Sequence, residues 1–397
     1  MQTLSQSPID ANFVQDPYPF YSRARAAGDL IWWQDYGLAC ATGHDSVNAI
    51  LRDRRFGREQ PTDLRPAVAP HLAPFYSIES HSMLELDGPR HARLRGLVLR
   101  AFTSRSIRAL APHITALCHQ LIDCFPSGEF DLLPAYCQPI PVLVIARLLG
   151  VPAGMADQLL DWSAAMVGMY QARRTRAMED AAARASTAFA AYMRDHVAQR
   201  RTEPADDLIT QLIAAHQAGE RLSTDELITT CILLLNAGHE ATVHSLGNIA
   251  KCLLENGTDI RALAPHAIEA TIEEGLRYDP PLHMFNRIAK EDVTVLGHRF
   301  RRGDQVACLL ACANRDAAVW PDGETFDPAR PIRPNTSFGG GAHFCVGAPL
   351  ARLELSIALP VLFSRCPDLR LGRAPRYANC YHFHGLDALM VHTCAIT

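Results

Sequence analysis

From Ser223 to Leu254 the chain carries an almost unbroken apolar pattern at helical spacing. Ser223-Thr224-Asp225-Glu226 opens it, a hydroxyl cap followed by acids in the first turn. About 30 residues of helix is ~45 Å, very long for a globular protein, so a fold has to be organised around it. Its middle is polar: Asn236-Ala237-Gly238-His239-Glu240-Ala241-Thr242. Ala237, Gly238 and Ala241 leave space beside the helix, and Gly238 weakens it by about 1 kcal/mol relative to alanine. An acid and a hydroxyl inside an apolar helix need partners or water. Two readings stand: a local kink with a satisfied, buried Glu240, or a functional groove. A zinc peptidase is excluded, because its two histidines must be four apart on one helix face. His239 and His244 are five apart, roughly 140° around the axis.

Helical periodicity dominates from about Pro89 to Arg277. Helices are predicted from Ser104 to Leu121, from Pro139 to Leu149 (stopped by Gly150 and Pro152), from Met155 to Tyr170 and from Ala177 to Arg200. The last two are joined by the basic run Arg173-Arg174-Thr175-Arg176. Strands are predicted only in small groups: Leu38 to Thr42, Val293 to Leu310 with turns at Gly297 and Gly303, and Tyr377 to His392. There is no repeat, low-complexity segment or linker. The expected fold is mainly α with small β sheets, residues 1–397 forming a single domain. With 397 residues, 48% hydrophobic and 20% charged, the chain can bury a large core without disulfides. Its twelve cysteines are scattered, mostly in apolar segments, with no zinc-knuckle or redox spacing. They read as small buried hydrophobes. A net charge of −4 argues against nucleic acid or a membrane surface as main partner. Met1 to Gln15 lacks a signal pattern, and no apolar run approaches the roughly 20 residues of a bilayer span. A cytoplasmic protein is expected.

One cysteine stands apart. Phe338-Gly339-Gly340-Gly341-Ala342-His343-Phe344-Cys345-Val346-Gly347 places Cys345 in a glycine-rich loop before a helix-like run. A thiolate held this way can be the axial ligand of a haem iron. Nucleophilic hydrolysis by Cys345 with His343 is the rival, but residues two apart in a tight loop rarely align sulfur to imidazole, and no third orienting group is evident. Glu274 and Arg277, three apart at the end of a helix before Pro280-Pro281, can form a charge pair. His91 and Arg95, four apart, share a helix face and suit an anion such as a carboxylate, or form a solvated basic face.

These four sites, in this order, resemble the cytochrome P-450 family of haem-thiolate monooxygenases. The resemblance covers nearly the whole chain, from Asp16-Pro17-Tyr18-Pro19 to the helix from Ala348 to Leu362. It implies that fold, with the long helix lying over the haem, and the cofactor haem b (iron protoporphyrin IX). Cys345 then corresponds to the metal ligand, Phe338 to the aromatic near its sulfur, and Gly347 to the end of the cofactor loop. His91, Arg95, Arg287 and His343 match residues that pair with the haem propionates. Glu274, Arg277 and Arg330 match a buried charge network that fixes the haem-binding core.

Two positions depart from the family pattern. Asn335 stands where a propionate-binding histidine is usual, three residues before Phe338. Ala241 stands where the family has the threonine of its acid–threonine pair; Glu240 is the acid, and the hydroxyl comes one residue late, at Thr242. One step is ~100° around a helix, so Thr242 cannot take over the same geometry. Ordered water relayed from Glu240, a polar group on the substrate, or a pathway through His239 remain as proton routes, the first two favoured. The alternative is a haem-binding protein with atypical or non-monooxygenase activity. The resemblance implies insertion of one oxygen atom of O2 into a small to mid-sized lipophilic substrate. It sets the pocket at Met166, Met169, Leu234, Ala237, Met284, Phe285 and Phe383, and supplies electrons from a separate ferredoxin and its reductase. Arg90, Arg93 and Arg100 would face an acidic ferredoxin. A monomer is expected.

Overall fold

The computed structural model describes residues 1–171, 174–215 and 221–394. Arg173 of the basic run lies outside the described residues. The chain groups into two compact units. One comprises Met1–Thr62, His113–Gln138 and Ala241–Thr397, the other Asp63–Pro112 and Pro139–Glu240.

The first unit holds the sheets. The largest has six strands in the order Gln2–Leu4, Leu30–Trp33, Leu38–Ala41, Gln305–Leu309, Met284–Ala289, Phe56–Gly57. Leu38–Ala41 runs parallel to Gln305–Leu309, and within them residues 39–41 and 306–309 are continuous apolar runs because both faces are buried there. On one side Phe13, Phe20, Trp33 and Tyr381 form an aromatic cluster, with Phe20 and Trp33 at 4.6 Å between ring centroids. The Ile268–Tyr278 and Ala348–Arg365 helices pack together in this unit. The strand group expected from Val293 to Leu310 is three strands, Val293–Val295, His298–Phe300 and Gln305–Leu309, turned where expected at Gly297 and Gly303, with Leu310 opening a short helix.

The second unit is helical. Its longest complete helix, Arg176–Thr202, packs on Ala156–Val167 through Trp162 and Phe189, centroids 5.2 Å apart, beside the small residues Ala182, Ala185 and Ser186. The helix expected from Met155 to Tyr170 is α only over Ala156–Val167 and tightens to a 3₁₀ turn at Gly168–Tyr170. The helix expected from Ser104 to Leu121 is two helices, Ser104–Arg108 and Ala111–Asp123. Pro112 explains the break: it has no N–H for the carbonyl four residues back, and the chain closes the first piece with Leu110 N–H on the Ile107 carbonyl (3.0 Å).

The long helix is Thr224–Glu255, 32 residues. Ser223 Oγ accepts from Glu226 N–H (3.2 Å) and Ser223 N–H donates to Glu226 Oε2 (2.9 Å), a reciprocal capping box. The boundary between the two units falls inside this helix, after Glu240. Among the described residues no helix is long and apolar enough to cross a membrane.

Candidate active site

The Cys345 loop is pinned from several directions within the first unit. Thr336 and Ser337 fix its start: Thr336 N–H donates to Asn314 Oδ1 (2.7 Å), and Ser337 Oγ donates to the Leu276 carbonyl (2.7 Å). Gly339 and Gly341 take positive φ, 69° and 67°. A Cβ on Gly341 would lie 2.2 Å from the Leu51 carbonyl oxygen, so that position admits only glycine. Cys345 N–H donates to the Phe338 carbonyl (3.0 Å), closing the loop and setting the sulfur beside the start of the Ala348–Arg365 helix. The Arg352 guanidinium lies 4.5 Å over the Phe338 ring and pairs through Nε with Glu273 at 2.5 Å. Asn335 is held away from the role of a propionate donor: its Nδ2 donates to the same Glu273 carboxylate (3.1 Å).

Cys345 is exposed, whereas Cys231, Cys252, Cys308 and Cys312 are buried. Burial pushes each of those four thiols up to about 12, so they stay protonated and inert.

Glu274, Arg277 and Arg330 come together. Arg277 grips Glu274 with two bonds of 2.7 Å and spends its other donors on the carbonyls of Asn314 (2.9 Å), Gly323 (2.7 Å) and Thr325 (3.1 Å). Glu274 Oε1 also accepts from Asp327 N–H (2.8 Å) and Arg330 Nε (3.3 Å). Arg287 is buried, gives Nη1 to the Asn286 carbonyl (3.0 Å) and lies 5.9 Å over the Phe285 ring. Phe285 in turn borders the loop, 3.8 Å from where a Cβ on Gly339 would sit. Phe383 joins Leu282 by an isolated antiparallel bridge next to buried Met284. His343 is half-buried in the 3₁₀ turn Gly341–His343, and Gly347 caps the following helix.

In the second unit His91 is buried and Arg95 half-buried on the Gly88–Ala101 helix. Arg93 of that helix pairs with Glu226 and donates to the Arg221 carbonyl (3.2 Å). It therefore fixes the entry to the long helix, and only Arg90 and Arg100 keep the exposure expected of a docking face. Met166, Met169 and Leu234 are buried, with Met166 Sδ 3.7 Å from Asn236 Nδ2. Ala237 is exposed and Ala241 half-exposed, four apart on one face, while Leu235, His239, Thr242 and Val243 are buried. Ile145 Cδ1 would meet a Cβ on Gly238 at 3.1 Å. His239 Nδ1 lies 3.1 Å from the Leu235 carbonyl and 3.4 Å from Ser163 Oγ, which leaves Nε2 3.7 Å from Glu240 Oε2. In the first unit Ser245 Oγ donates to the Ala241 carbonyl (2.7 Å).

Sequence reasoning missed a third cluster, Asp279, His283, His384 and Lys251, all buried in the first unit. Lys251 Nζ donates to Asp279 Oδ2 (2.8 Å). Burial, partly offset by Asp279, pushes His384 down to about 4, and burial drives His283 well below its ordinary value. Residues 251, 279 and 384 meet only through the fold, so spacing gave no signal.

The residues fit a haem. An exposed thiol sits on a loop braced by Leu51 and Phe338 and precedes a helix N-terminus, which favours thiolate. Within the same unit the buried Arg287 is a donor of the kind an anionic group would need.

Comparison with known proteins agrees. The sequence profile described as Cytochrome P450 matches residues 266–367, the stretch that holds Glu274, Arg277, Arg287 and Cys345. The chain is 33% identical to the biotin biosynthesis cytochrome P450 of Bacillus subtilis over 98% of its own length and 99% of that protein's. It is 38% identical to nocardicin C N-oxygenase of Nocardia uniformis subsp. tsuyamanensis over 93% of this chain and 92% of the relative. The crystal structure of P450BioI with a hexadec-9Z-enoic acid-ligated acyl carrier protein superposes with a TM-score of 0.90 at 32% identity, covering 96% of this chain and 100% of that one. CalO2 superposes with a TM-score of 0.90 at 30% identity, covering 98% and 99%. A thiolate loop, a Glu–Arg–Arg network and full-length relatives of one kind leave one assignment: the chain belongs to the cytochrome P450 family.

Proposed function

We propose that the protein is a haem-thiolate monooxygenase that places one oxygen atom of O2 into a small to mid-sized lipophilic substrate. The cofactor of this reading is haem b, and a separate ferredoxin and its reductase supply the electrons. The observation that carries it is the Cys345 loop, an exposed thiol on a backbone that Leu51, Phe338 and Asn314 hold in place. When bound, the haem supplies O2 activation and oxygen-atom transfer.

The chain's own residues do the rest. Cys345 Sγ is the iron ligand. Hydrogen bonding in its loop and the following helix N-terminus hold it as thiolate and limit its donation. His91, Arg95, Arg287 and His343 pair with the propionates. Glu274, Arg277 and Arg330 keep the loop's support rigid. Met166, Met169, Leu234 and Ala237 in the second unit, and Met284, Phe285 and Phe383 in the first, are each assigned as apolar substrate contacts. Glu240 Oε2 holds a proton for delivery through ordered water beside Ala241. His239, anchored on Leu235 and Ser163, stands with Nε2 3.7 Å from Glu240 Oε2. Arg90 and Arg100 receive the acidic ferredoxin.

The test is the absorption spectrum of the reduced protein under carbon monoxide. A strongly red-shifted Soret band is expected, lost in Cys345→Ala, together with electron consumption that a substrate stimulates. Colourless protein would sink the reading. The shifted band without substrate-stimulated consumption would favour a haem-binding protein of another activity.

A further inference from the structure

We propose that Asp279, His283 and His384 form a second metal site, separate from the Cys345 loop, for a divalent transition ion of the zinc type. One ligand atom from each lies within 4.8 Å of the other two. All three side chains are buried, His283 at 0%, His384 at 1% and Asp279 at 2% exposure. The Nε2 atoms of both histidines are buried without a hydrogen-bond partner, as is Oδ1 of neighbouring Asn248. Buried imidazole nitrogens are rarely left this way, since an unsatisfied buried polar atom loses its hydration without a replacement bond.

The surrounding bonds set the chemistry. Tyr21 OH donates to Tyr381 OH (2.8 Å) and lies 2.8 Å from His283 Nδ1. The hydroxyl therefore accepts the Nδ1 proton, and Nε2 carries the bare lone pair that a metal requires. His384 Nε2 stands 3.6 Å from Asp279 Oδ1, close to the ~3.4 Å separation of neighbouring ligands around tetrahedral zinc. His283, whose ring centroid is 4.3 Å from that of His384, has its ligand nitrogen within 4.8 Å of the other two ligand atoms, so the shell has to contract toward the ~3.4 Å separation to close. Asp279 Oδ2 is occupied by Lys251 Nζ at 2.8 Å, and Tyr18 OH donates to Oδ1 at 3.1 Å. Asp279 thus offers one oxygen, and the Lys251 charge weakens the site without removing it. Two imidazoles, one carboxylate oxygen and water suit zinc or cobalt, not calcium or magnesium.

The ligands come from segments that already meet. Asp279 ends the Ile268–Tyr278 helix, His283 follows four residues on, and His384 N–H donates to the Pro281 carbonyl (2.8 Å) beside the Leu282–Phe383 bridge. Coordination would clamp these two segments together.

The test uses haem-loaded enzyme, treated with a chelator, incubated with zinc or cobalt, and passed through gel filtration. Metal per haem iron is then measured by mass spectrometry. About one retained ion per iron is expected. His283→Gln and His384→Gln should each weaken retention by at least about tenfold, with the reduced carbon monoxide spectrum unchanged. No retained ion in the unaltered enzyme, or equal retention by the double variant, overturns the site. Should the variants lose haem, zinc K-edge absorption of the unaltered enzyme decides. A nitrogen and oxygen shell with imidazole scattering supports the site; sulfur ligands, pointing to the exposed cysteines, overturn it.

Discussion

Gly341 has φ +67°, and a Cβ there would stand 2.2 Å from the Leu51 carbonyl oxygen. Positive φ costs an alanine of order 1–3 kcal/mol, and the clash with backbone cannot be relieved by a rotamer. Gly341→Ala should therefore move the chain off Leu51 and with it the Cys345 N–H on Phe338. The expected result is protein with less haem per chain and a weakened red-shifted band; full haem content would show that the loop is not held this way. Ala241 is one of the two positions at which the resemblance implies a departure, a threonine being expected there. A threonine placed there can satisfy its hydroxyl on the Ala237 carbonyl one turn back, so the helix survives the change. Ala241→Thr should raise product formed per electron pair severalfold, read as product against NAD(P)H consumed. A fall would instead assign Ala241 to making room for the substrate.

Elements were legible where local chemistry decides them. The long helix announces itself because Ser223 and Glu226 cap each other and the apolar spacing persists for nine turns' worth of sequence. The break between Arg108 and Ala111 was missed although Pro112 supplies its reason, because the apolar spacing continues across it. Cys345 was legible from its glycines; its bracing by Leu51 and the Arg352 guanidinium over Phe338 was not, since those contacts exist only after folding. The Ala348–Arg365 helix behind the loop carries a further local conflict. Glu354 is 2% exposed, Oε1 has no partner, and burial raises its carboxyl well above the ordinary value. In the unfolded chain it ionises near 4.5, while in the folded protein burial favours the protonated form to higher pH. The unfolded state therefore binds fewer protons, and stability falls as pH rises above that value, by up to about 1.4 kcal/mol per pH unit for one proton. Glu354→Gln removes that slope. Its advantage over the parent in thermal midpoint should be absent near pH 4 and grow toward pH 8; an advantage independent of pH would mean that Glu354 is ionised in the fold.

Across the molecule, the first unit draws its coherence from a few long-range polar anchors set among apolar layers. Arg277 is the most connected of them. It is 2% exposed and joins the Ile268–Tyr278 helix to the carbonyls of Asn314, Gly323 and Thr325, while Glu274 takes Asp327 N–H and Arg330. A Glu and an Arg three apart were readable from the sequence as a pair, but most such pairs lie on surfaces and contribute little. Burial changes the magnitude: removing one member leaves an uncompensated charge, at a cost of about 3–5 kcal/mol. Arg277→Ala should lower the thermal midpoint and release haem during purification. Arg277→Lys should fail nearly as badly, because three ammonium donors cannot replace the planar fork that serves Glu274 and three carbonyls at once. Glu274→Gln keeps the shape but turns an NH2 donor toward donors and leaves the buried Arg277 and the half-buried Arg330 without their anion, so it too should destabilise. Combining it with Arg277→Met should cost less than the sum of the two single changes, because the charge is removed from both sides. Additive costs in denaturation measured on the haem-loaded protein would show that Glu274 and Arg277 act separately, and that the rigidity of the Cys345 support rests on other contacts.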